Sequence, residues 1–246
     1  MALVGYGRMG KSVEETATKR GHDIVAKIDP NLETNILDCP TLVEAEVAIE
    51  FSTPETAPAN IKDLVARGIS TVSGTTGWYD VLDETTVAVE ASGVGLIYAP
   101  NFSLGVYILL ELTKVAGRMS QLVKNYEMTI YESHHKNKID IPSGTAIALA
   151  DNLLEQIPSK SKWTSTLTSI EYDSNTIPIK SERKGENPGR HVVEFQSIYD
   201  SFEISHQAHS RDGFALGAVL AAEWICGKAG VFTLTDMFPK EELGCP

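Results

Sequence analysis

The segment 132–146 carries the densest set of reactive side chains in the sequence. Histidine is the side chain that exchanges protons near neutral pH, and His134 and His135 are adjacent here, with the fixed cation Lys138 close by. Ser143-Gly144-Thr145 opens a predicted helix over 145–154, and the N–H groups at a helix start attract anions. A proton donor, a cation and an anion site together suit a substrate that carries carboxylates.

Simpler interpretations of this segment remain open. Either histidine could be a structural residue that bonds a backbone group, and Ser143 could be only the N-cap of its helix. A zinc site built from the two histidines and Asp140 is a further possibility, but the H-E-x-x-H spacing is missing and no cysteine lies near in the sequence. We therefore expect no metal.

A glycine-rich loop, Gly5-Tyr6-Gly7-Arg8-Met9-Gly10, follows an apolar strand and opens a predicted helix over 9–20. Glycines in the pattern G-x-G-x-x-G allow a tight turn and let the backbone approach a pyrophosphate. Asp29 stands 19 positions after Gly10, at the end of the second predicted strand, where a carboxylate accepts bonds from ribose hydroxyls. This order predicts dinucleotide binding; a plain glycine turn and a surface aspartate before Pro30 are the alternative.

Two further segments follow predicted strands at the edge where an open parallel sheet binds its ligand. One contains Gly74, Thr75 and Thr76, and the other contains Ala99, Pro100, Asn101 and Phe102. Small and polar residues at this edge predict a lining for the nicotinamide half of a cofactor, with ordinary loop chemistry as the alternative.

The elements that must position these residues follow from the apolar pattern. Residues 1–100 alternate short apolar runs with amphipathic stretches, which predicts βαβ units and a parallel sheet. Strands are predicted over 3–4, 23–28, 47–51, 70–72 and 94–98, and helices over 9–20 and 58–67.

The pattern changes after residue 105. It predicts a helix over 106–121, a strand over 127–131 and an antiparallel, half-exposed hairpin over 191–207 with a two-residue turn at Asp200-Ser201. Residues 175–188 hold two prolines and five charged side chains, so we expect a mobile loop. The apolar helix predicted over 213–227 should pack between other elements.

The composition excludes several classes of protein. The 246 residues include 33 acidic and 21 basic side chains, and the net charge of −12 repels a phosphate backbone, so we expect no nucleic-acid partner. The apolar stretches fall short of the roughly 20 residues that span a bilayer, so we expect no membrane association. Three cysteines without a C-x-x-C pair and an N-terminus without a signal peptide predict a cytoplasmic protein.

These motifs resemble, from end to end, those of the bacterial 4-hydroxy-tetrahydrodipicolinate reductases, also called dihydrodipicolinate reductases. The resemblance rests on the Gly-Arg-Met-Gly of the first loop, on Gly74-Thr75-Thr76 and Pro100-Asn101-Phe102-Ser103, and above all on Glu132-x-His134-His135-x-x-Lys138-x-Asp140-x-Pro142-Ser143-Gly144-Thr145-Ala146. Arg183-x-Gly185, Gly189-x-His191 and the segment 204–218 also resemble the family.

The resemblance implies an α/β fold. A Rossmann-type dinucleotide-binding domain would span 1–104 and 212–246, and an inserted α+β domain over 105–211, with an open mixed sheet, would bind substrate and mediate oligomerisation. The family forms tetramers, so the resemblance also implies a homotetramer.

The resemblance further implies an oxidoreductase of lysine and diaminopimelate biosynthesis, which reduces the dehydrated form of 4-hydroxy-tetrahydrodipicolinate to tetrahydrodipicolinate with NADH or NADPH. His134 would be the proton donor and Lys138 a second one. His135, Ser143, Gly144 and Thr145 would hold the carboxylates of the small cyclic substrate. The residues that would bind the cofactor are Gly5, Tyr6, Gly7, Arg8, Met9, Gly10, Asp29, Gly74, Thr75, Thr76, Ala99, Pro100, Asn101 and Phe102. The alternatives are a dehydrogenase for another small acid and a non-catalytic dinucleotide-sensing protein.

The neighbours of Asp29 predict the cofactor preference. Asp29 suits free ribose hydroxyls and repels the 2′-phosphate of NADPH, and the next residue is Pro30 rather than a basic residue. Arg8, Lys11 and Lys27 are the cations left to meet a phosphate, and we expect Arg8 to be its main partner. We therefore expect NADH to be used at least as well as NADPH.

Overall fold

A computed structural model describes residues 1–123, 126–166 and 173–238 of the chain. The chain forms two compact units: Met1–Ser103 together with the chain from Arg211 onward, and Leu104–Ser210. The strands are β1 (Ala2–Val4), β2 (Ala26–Ile28), β3 (Val47–Glu50), β4 (Ser70–Ser73), β5 (Gly95–Tyr98), β6 (Glu127–His134), β7 (Lys162–Thr166), β8 (Thr176–Arg183), β9 (Arg190–Gln196), β10 (Ser201–Gln207) and β11 (Gly230–Thr233). The helices are α1 (Arg8–Lys19), α2 (Ala57–Ala66), α3 (Leu82–Ser92), α4 (Leu104–Ser120), α5 (Gly144–Gln156) and α6 (Asp212–Ile225).

The sheet of the first unit is parallel throughout, in the order β11-β5-β4-β3-β1-β2. Its strands are short, and every residue of β1, β3 and β4 is buried, as expected when helices cover a parallel sheet. The prediction of βαβ units is confirmed.

Three details of the first unit differ from the prediction. β2 begins at Ala26 rather than at residue 23, because its neighbour β1 begins at Ala2, which pairs with Ala26. The edge strand β11 and the helix α3 were not predicted. In α3, Val87 is 67% exposed while Val89 is buried, so its valines form no single apolar stripe.

The second unit is built on a mixed sheet in the order β10-β9-β6-β8-β7. β8 runs parallel to β6 and β7, whereas β9 runs antiparallel to β6 and β10. Leu109 of α4 and Leu149 of α5 pack against Ile130 and Phe195 of the sheet in one buried cluster. The predicted α/β fold with a second, mixed sheet is confirmed.

The prediction of a mobile loop over 175–188 was wrong, because most of this segment is the strand β8. Ile177 and Ile179 alternate into the core, and this buried pair outweighs the prolines and charges on which the prediction relied. Pro178 pairs with Thr164 of β7, and the register with β6 begins one residue later at Ile179.

The predicted two-residue turn of the hairpin was also wrong. β9 ends at Gln196 and β10 begins at Ser201, so residues 197–200 join them. The hydroxyl of Ser197 accepts bonds from the N–H groups of Tyr199 and Asp200, which stabilises this longer turn. The hairpin is antiparallel, and β10 is largely exposed, as predicted.

α6 packs against α1 and against the strands β3, β4 and β5 of the first sheet, which confirms that this apolar helix lies between other elements. The approach is close: a Cβ at Gly217 would lie 1.7 Å from the carbonyl oxygen of Phe102. No helix within the described residues is long and apolar enough to cross a bilayer.

Candidate active site

The glycine loop at the start of α1 leaves no room for a side chain at Gly5 or Gly10. Gly5 has a φ of +86°, and a Cβ there would lie 2.0 Å from the carbonyl oxygen of Phe51. A Cβ at Gly10 would lie 2.3 Å from the carbonyl oxygen of Gly5. Gly7, by contrast, is exposed with open space around it, and as the N-cap of α1 it has no side chain to bond the first N–H groups. The open helix start fits the pyrophosphate of a dinucleotide.

Asp29 follows β2 and is held beside this loop. Its Oδ2 accepts the backbone N–H of Tyr6 at 2.6 Å, and its Oδ1 accepts the backbone N–H and the side-chain amide of Asn31 at 2.8 and 2.9 Å. The Asn31 N–H and, against the effect of burial, the Tyr6 N–H hold the pKa of this carboxyl below its usual value. A carboxylate has about four acceptor positions and three are used, so one remains for a ribose hydroxyl.

A buried acid that the sequence analysis missed, Glu50, ends β3. Its carboxylate accepts the backbone N–H of Ser52 at 2.8 Å, the hydroxyl of Ser73 at 2.7 Å and that of Thr75 at 2.9 Å, as well as a short bond from the Ser52 hydroxyl. These partners belong to the segments after β3 and at the end of β4, so Glu50 ties the two loops together. A single acidic residue at the end of a strand belongs to no motif with a fixed spacing, so no pattern in the sequence indicates this role.

The predicted nicotinamide lining lies in these loops and in the one after β5. Thr75 is buried and Thr76 is exposed, while Gly74 lies against Phe51, whose ring a Cβ would approach within 2.0 Å. After β5, Ala99 and Phe102 are buried, Pro100 is exposed, and Asn101 accepts the N–H of Ser103 at 2.8 Å. Of the remaining loop residues near α1, Arg8 is exposed, and Tyr6 and Met9 are half-buried.

In the second unit, His134 is the last residue of β6 and is 6% exposed. Its Nδ1 lies 2.8 Å from Oε2 of Glu132, whose side chain is fully buried. The two atoms are close enough for an ion pair, although their alignment falls outside that of a regular hydrogen bond. Because Glu132 and His134 are two residues apart on one strand, they share a face of the sheet.

Glu132 also organises two distant segments. Its Oε1 accepts the backbone N–H of Ser143 at 3.1 Å and the guanidinium of Arg183 at 2.9 Å. Burial raises the pKa of Glu132, but its contacts with His134, Ser143, Ser181 and Arg183 outweigh burial and hold the pKa well below the usual range. The carboxylate is therefore ionised at neutral pH.

His191 of β9 completes this cluster. It pairs with Glu132 across the sheet, its ring lies 5.0 Å from that of His134, and its Nε2 lies 3.1 Å from the hydroxyl of Ser143. Burial, reinforced by the nearby charge of His134, lowers the pKa of His191 to about 3, so the ring is neutral at physiological pH.

The other predicted residues lie around the end of β6 and the start of α5. His135 is half-buried, and Lys138 Nζ lies 2.8 Å from Oδ1 of Asp140. Ser143 is the N-cap of α5, and its hydroxyl accepts the N–H of Ala146 at 3.3 Å. Gly144 has open space where a Cβ would stand, and Thr145 follows it in the first turn.

Of the residues considered from the sequence as zinc ligands, only His134 belongs to the group with metal-ligand geometry among the described residues. Glu132, His134 and His191 each bring one possible ligand atom within 4.8 Å of the others. Arg183 already occupies the other oxygen of Glu132, so the carboxylate has a cation without a metal.

Known proteins resemble nearly the whole chain. The family model described as "Dihydrodipicolinate reductase, N-terminus" matches residues 1–102, and the one described as "Dihydrodipicolinate reductase, C-terminus" matches residues 105–238. The chain belongs to the dihydrodipicolinate reductase family. The family resemblance predicted from the motifs is thus confirmed.

Individual members of the dihydrodipicolinate reductase family agree. A relative from Christiangramia forsetii, named 4-hydroxy-tetrahydrodipicolinate reductase, is 43% identical over 237 residues, which cover 96% of both chains. One of the same name from Archaeoglobus fulgidus is 33% identical, covering 94% of this chain and 95% of its own. The solved structure of dipicolinate-bound dihydrodipicolinate reductase from Paenisporosarcina sp. TG-14 is 22% identical and has the same fold, with a TM-score of 0.76 over 97% of this chain and 98% of the other.

Proposed function

We propose that the chain is an NAD(P)H-dependent reductase that converts the dehydrated form of 4-hydroxy-tetrahydrodipicolinate to tetrahydrodipicolinate, a step in lysine and diaminopimelate biosynthesis. The observation that carries the proposal is the buried pair of Glu132 and His134, whose atoms lie 2.8 Å apart at the end of β6. A non-catalytic dinucleotide-sensing protein has no use for a carboxylate held against a histidine in this way. The names of the two relatives support the same reaction.

The cofactor is proposed to bind the first unit. The glycine loop, residues 5–10, would hold the pyrophosphate, Asp29 the adenosine ribose, and the loops at 74–76 and 99–102 the nicotinamide half. When bound, the reduced nicotinamide supplies the hydride. Glu50 would keep the loops after β3 and β4 in place through its bonds to Ser52, Ser73 and Thr75. We propose that NADH is used at least as well as NADPH.

The proton is proposed to come from His134. An ionised Glu132 stabilises the protonated imidazole and fixes its orientation, as a carboxylate does for a histidine in general acid–base catalysis. His191 remains neutral beside it, so it adds no positive charge that would discourage protonation of His134. Lys138, held by Asp140, would be the second proton donor.

The substrate carboxylates are proposed to bind His135 and the start of α5. The start of a helix carries the positive end of the helix dipole, which attracts anions, so Gly144 and Thr145 would hold one carboxylate. The N–H of Ser143 already bonds Glu132, and its hydroxyl meets Ala146 and His191. We therefore propose that Ser143 positions the start of α5.

The second unit also exposes an apolar face, which supports assembly. Leu112 and Met119 of α4 and Phe202 of β10 are 48%, 61% and 42% exposed, and they line one groove with Tyr126 and Ile204. Contiguous exposed apolar groups of this kind commonly mark a protein interface. We propose that copies of the chain associate through the second unit as a homotetramer, and that the enzyme works in the cytoplasm.

The test is a coupled assay that follows loss of NADH or NADPH absorbance in the presence of freshly generated substrate. We expect turnover, and competitive inhibition against the substrate by pyridine-2,6-dicarboxylate, whose two carboxylates match those of the ring. Lys138→Ala should lose both substrate affinity and turnover. A folded chain that binds the nucleotide but oxidises neither cofactor would contradict the reductase and favour a sensing role.

A further inference from the structure

One ion pair beside the proposed adenosine site has no part in the reaction proposed above. Lys27 lies in β2 two residues before Asp29, so the alternation of the strand directs both side chains to the same face. Its ammonium lies 2.5 Å from Oε1 of Glu14 on α1, and 4.8 Å from the ring centre of Tyr6. The backbone N–H of Tyr6 bonds Asp29, so Tyr6 contacts the ribose-binding acid on one side and the lysine on the other.

The charges of this pair are well defined. The bond to Glu14 raises the pKa of Lys27, and bonds from Lys27 and from the Tyr6 hydroxyl lower the pKa of Glu14. The two side chains are 37% and 27% exposed, so the pair is reachable from solvent yet partly shielded from it. At neutral pH the lysine next to Asp29 is therefore a cation already neutralised by a second acid.

This neutralisation bears on the choice between the two nicotinamide cofactors. NADPH differs from NADH by a phosphate on the adenosine ribose, and an unpaired lysine two residues from the ribose-binding acid would attract that phosphate. With Glu14 bound to it, Lys27 offers little net positive charge, and a phosphate would meet the negative charges of both Glu14 and Asp29. A ribose that carries only hydroxyls meets no such repulsion.

We infer that Glu14 is a specificity-determining residue: by holding Lys27 in an ion pair, it keeps that lysine from binding a 2′-phosphate and so favours NADH. The inference rests on the proposed adenosine site at Asp29. The competing explanation is that the pair only fastens α1 to β2, in which case its loss would change stability and weaken both cofactors alike.

The test uses nucleotides that need no catalysis. Calorimetry on the full chain at low ionic strength would compare adenosine 2′,5′-bisphosphate, which carries the 2′-phosphate, with 5′-AMP, which lacks it. We expect Glu14→Gln, which keeps the shape and the bond from Tyr6, to tighten the bisphosphate about five- to tenfold while 5′-AMP changes less than about twofold. The ratio of KM values for NADPH and NADH should fall by a similar factor.

Glu15→Gln is the matched control. It removes the same charge one residue away on the same helix, where Glu15 pairs with the exposed Lys19 at 2.7 Å. It should leave the nucleotide ratio unchanged, and an equal shift in both variants would reduce the effect to net charge and overturn the inference. Adding Lys27→Met to Glu14→Gln should remove the gain.

The double variant Glu14→Gln with Lys27→Met keeps the inference testable if Glu14→Gln alone does not fold. It removes both charges of a pair that is neutral overall, so the affinity for the bisphosphate should change less than about twofold from that of the unmodified chain. A large loss would show that Lys27 binds the phosphate despite Glu14, and would overturn the inference. If the unmodified chain binds neither nucleotide, the proposed adenosine site itself is wrong; if it binds both and Glu14→Gln leaves their ratio unchanged, only the role of Glu14 is wrong.

Discussion

Each unit of the molecule fully buries a carboxylate at or near the end of a central strand, and the two differ in their partners. Glu50 in the first unit is satisfied by hydroxyls and a backbone N–H from Ser52, Ser73 and Thr75. Glu132 in the second unit has a histidine, an arginine and a backbone N–H as its partners. Hydroxyl partners can hold loops in place, but they do not release a proton near neutral pH. A histidine partner can release one. The first acid therefore suits positioning, and the second suits proton transfer.

The largest expected effect on kcat follows from removing the proposed proton donor. His134→Gln should lower kcat by about 10²–10⁴-fold, because a general acid used in the transition state is lost. Binding of 5′-AMP should stay within about twofold of the unmodified chain, since the nucleotide is proposed to bind the other unit. Steady-state kinetics and calorimetry measure the two, and a near-native kcat would remove His134 from the mechanism.

Removing the carboxylate beside His134 should give the next largest effect. Glu132→Gln should lower kcat by about 10²-fold, because the protonated imidazole loses its stabilising charge. Steady-state kinetics measure the loss, and a near-native kcat would mean that Glu132 has no part in proton transfer.

The matching change in the first unit should be milder and different in kind. Glu50→Gln places an amide N–H₂ among groups that donate, so about 1–3 kcal/mol of stability should be lost. The loops after β3 and β4 loosen as a result, and the KM for the cofactor should rise about tenfold with a smaller change in kcat. A loss of kcat as large as that of Glu132→Gln would erase the contrast between the two acids.

The smallest expected effect concerns acid stability. The pKa of His191 is about 3 in the folded chain against 6.5 ordinarily, so the unfolded chain binds more protons between these values. His191 thus contributes stability that is full above about pH 6.5 and declines as the pH falls toward about 3. Over pH 6.5 to 4.5 the loss should be about 1–3 kcal/mol.

Thermal unfolding between pH 7 and 4.5 measures this loss. His191→Asn, which does not titrate, should show a flatter decline of Tm with acidification. The bond from Arg20 lowers the pKa of Glu223 in the first unit from 4.5 to about 2. Glu223 therefore affects stability only below about pH 4.5, outside this window. If Tm falls equally with acidification in the unmodified chain and in His191→Asn, His191 is not the source of the loss.

The sequence predicted what depends on short spacing. The glycine loop, Asp29 and the start of α5 are local patterns, and the parallel and mixed sheets follow from apolar alternation. The partners of Glu132 could not be predicted in this way: Arg183 lies 51 positions away, and His191 meets Glu132 only through the register of β6 with β9. β8 was missed because two buried isoleucines carry less weight in a pattern than the prolines and charges around them. Glu14 and Lys27 were not paired because nothing local links a helix face to a strand.

The order of the elements along the chain affects how the protein is made. α6 and β11 belong to the first unit, yet they follow the whole of the second unit in sequence. During synthesis, β1 to β5 leave the ribosome long before α6, the apolar helix that covers part of their sheet. β11, which pairs with the edge of β5, emerges later still. The second unit has all its elements in one continuous stretch and can complete its core during synthesis. The nascent first unit therefore exposes one unpaired edge of β5 and an uncovered apolar surface throughout that interval, so we expect it to be the unit more prone to aggregate when translation stops early.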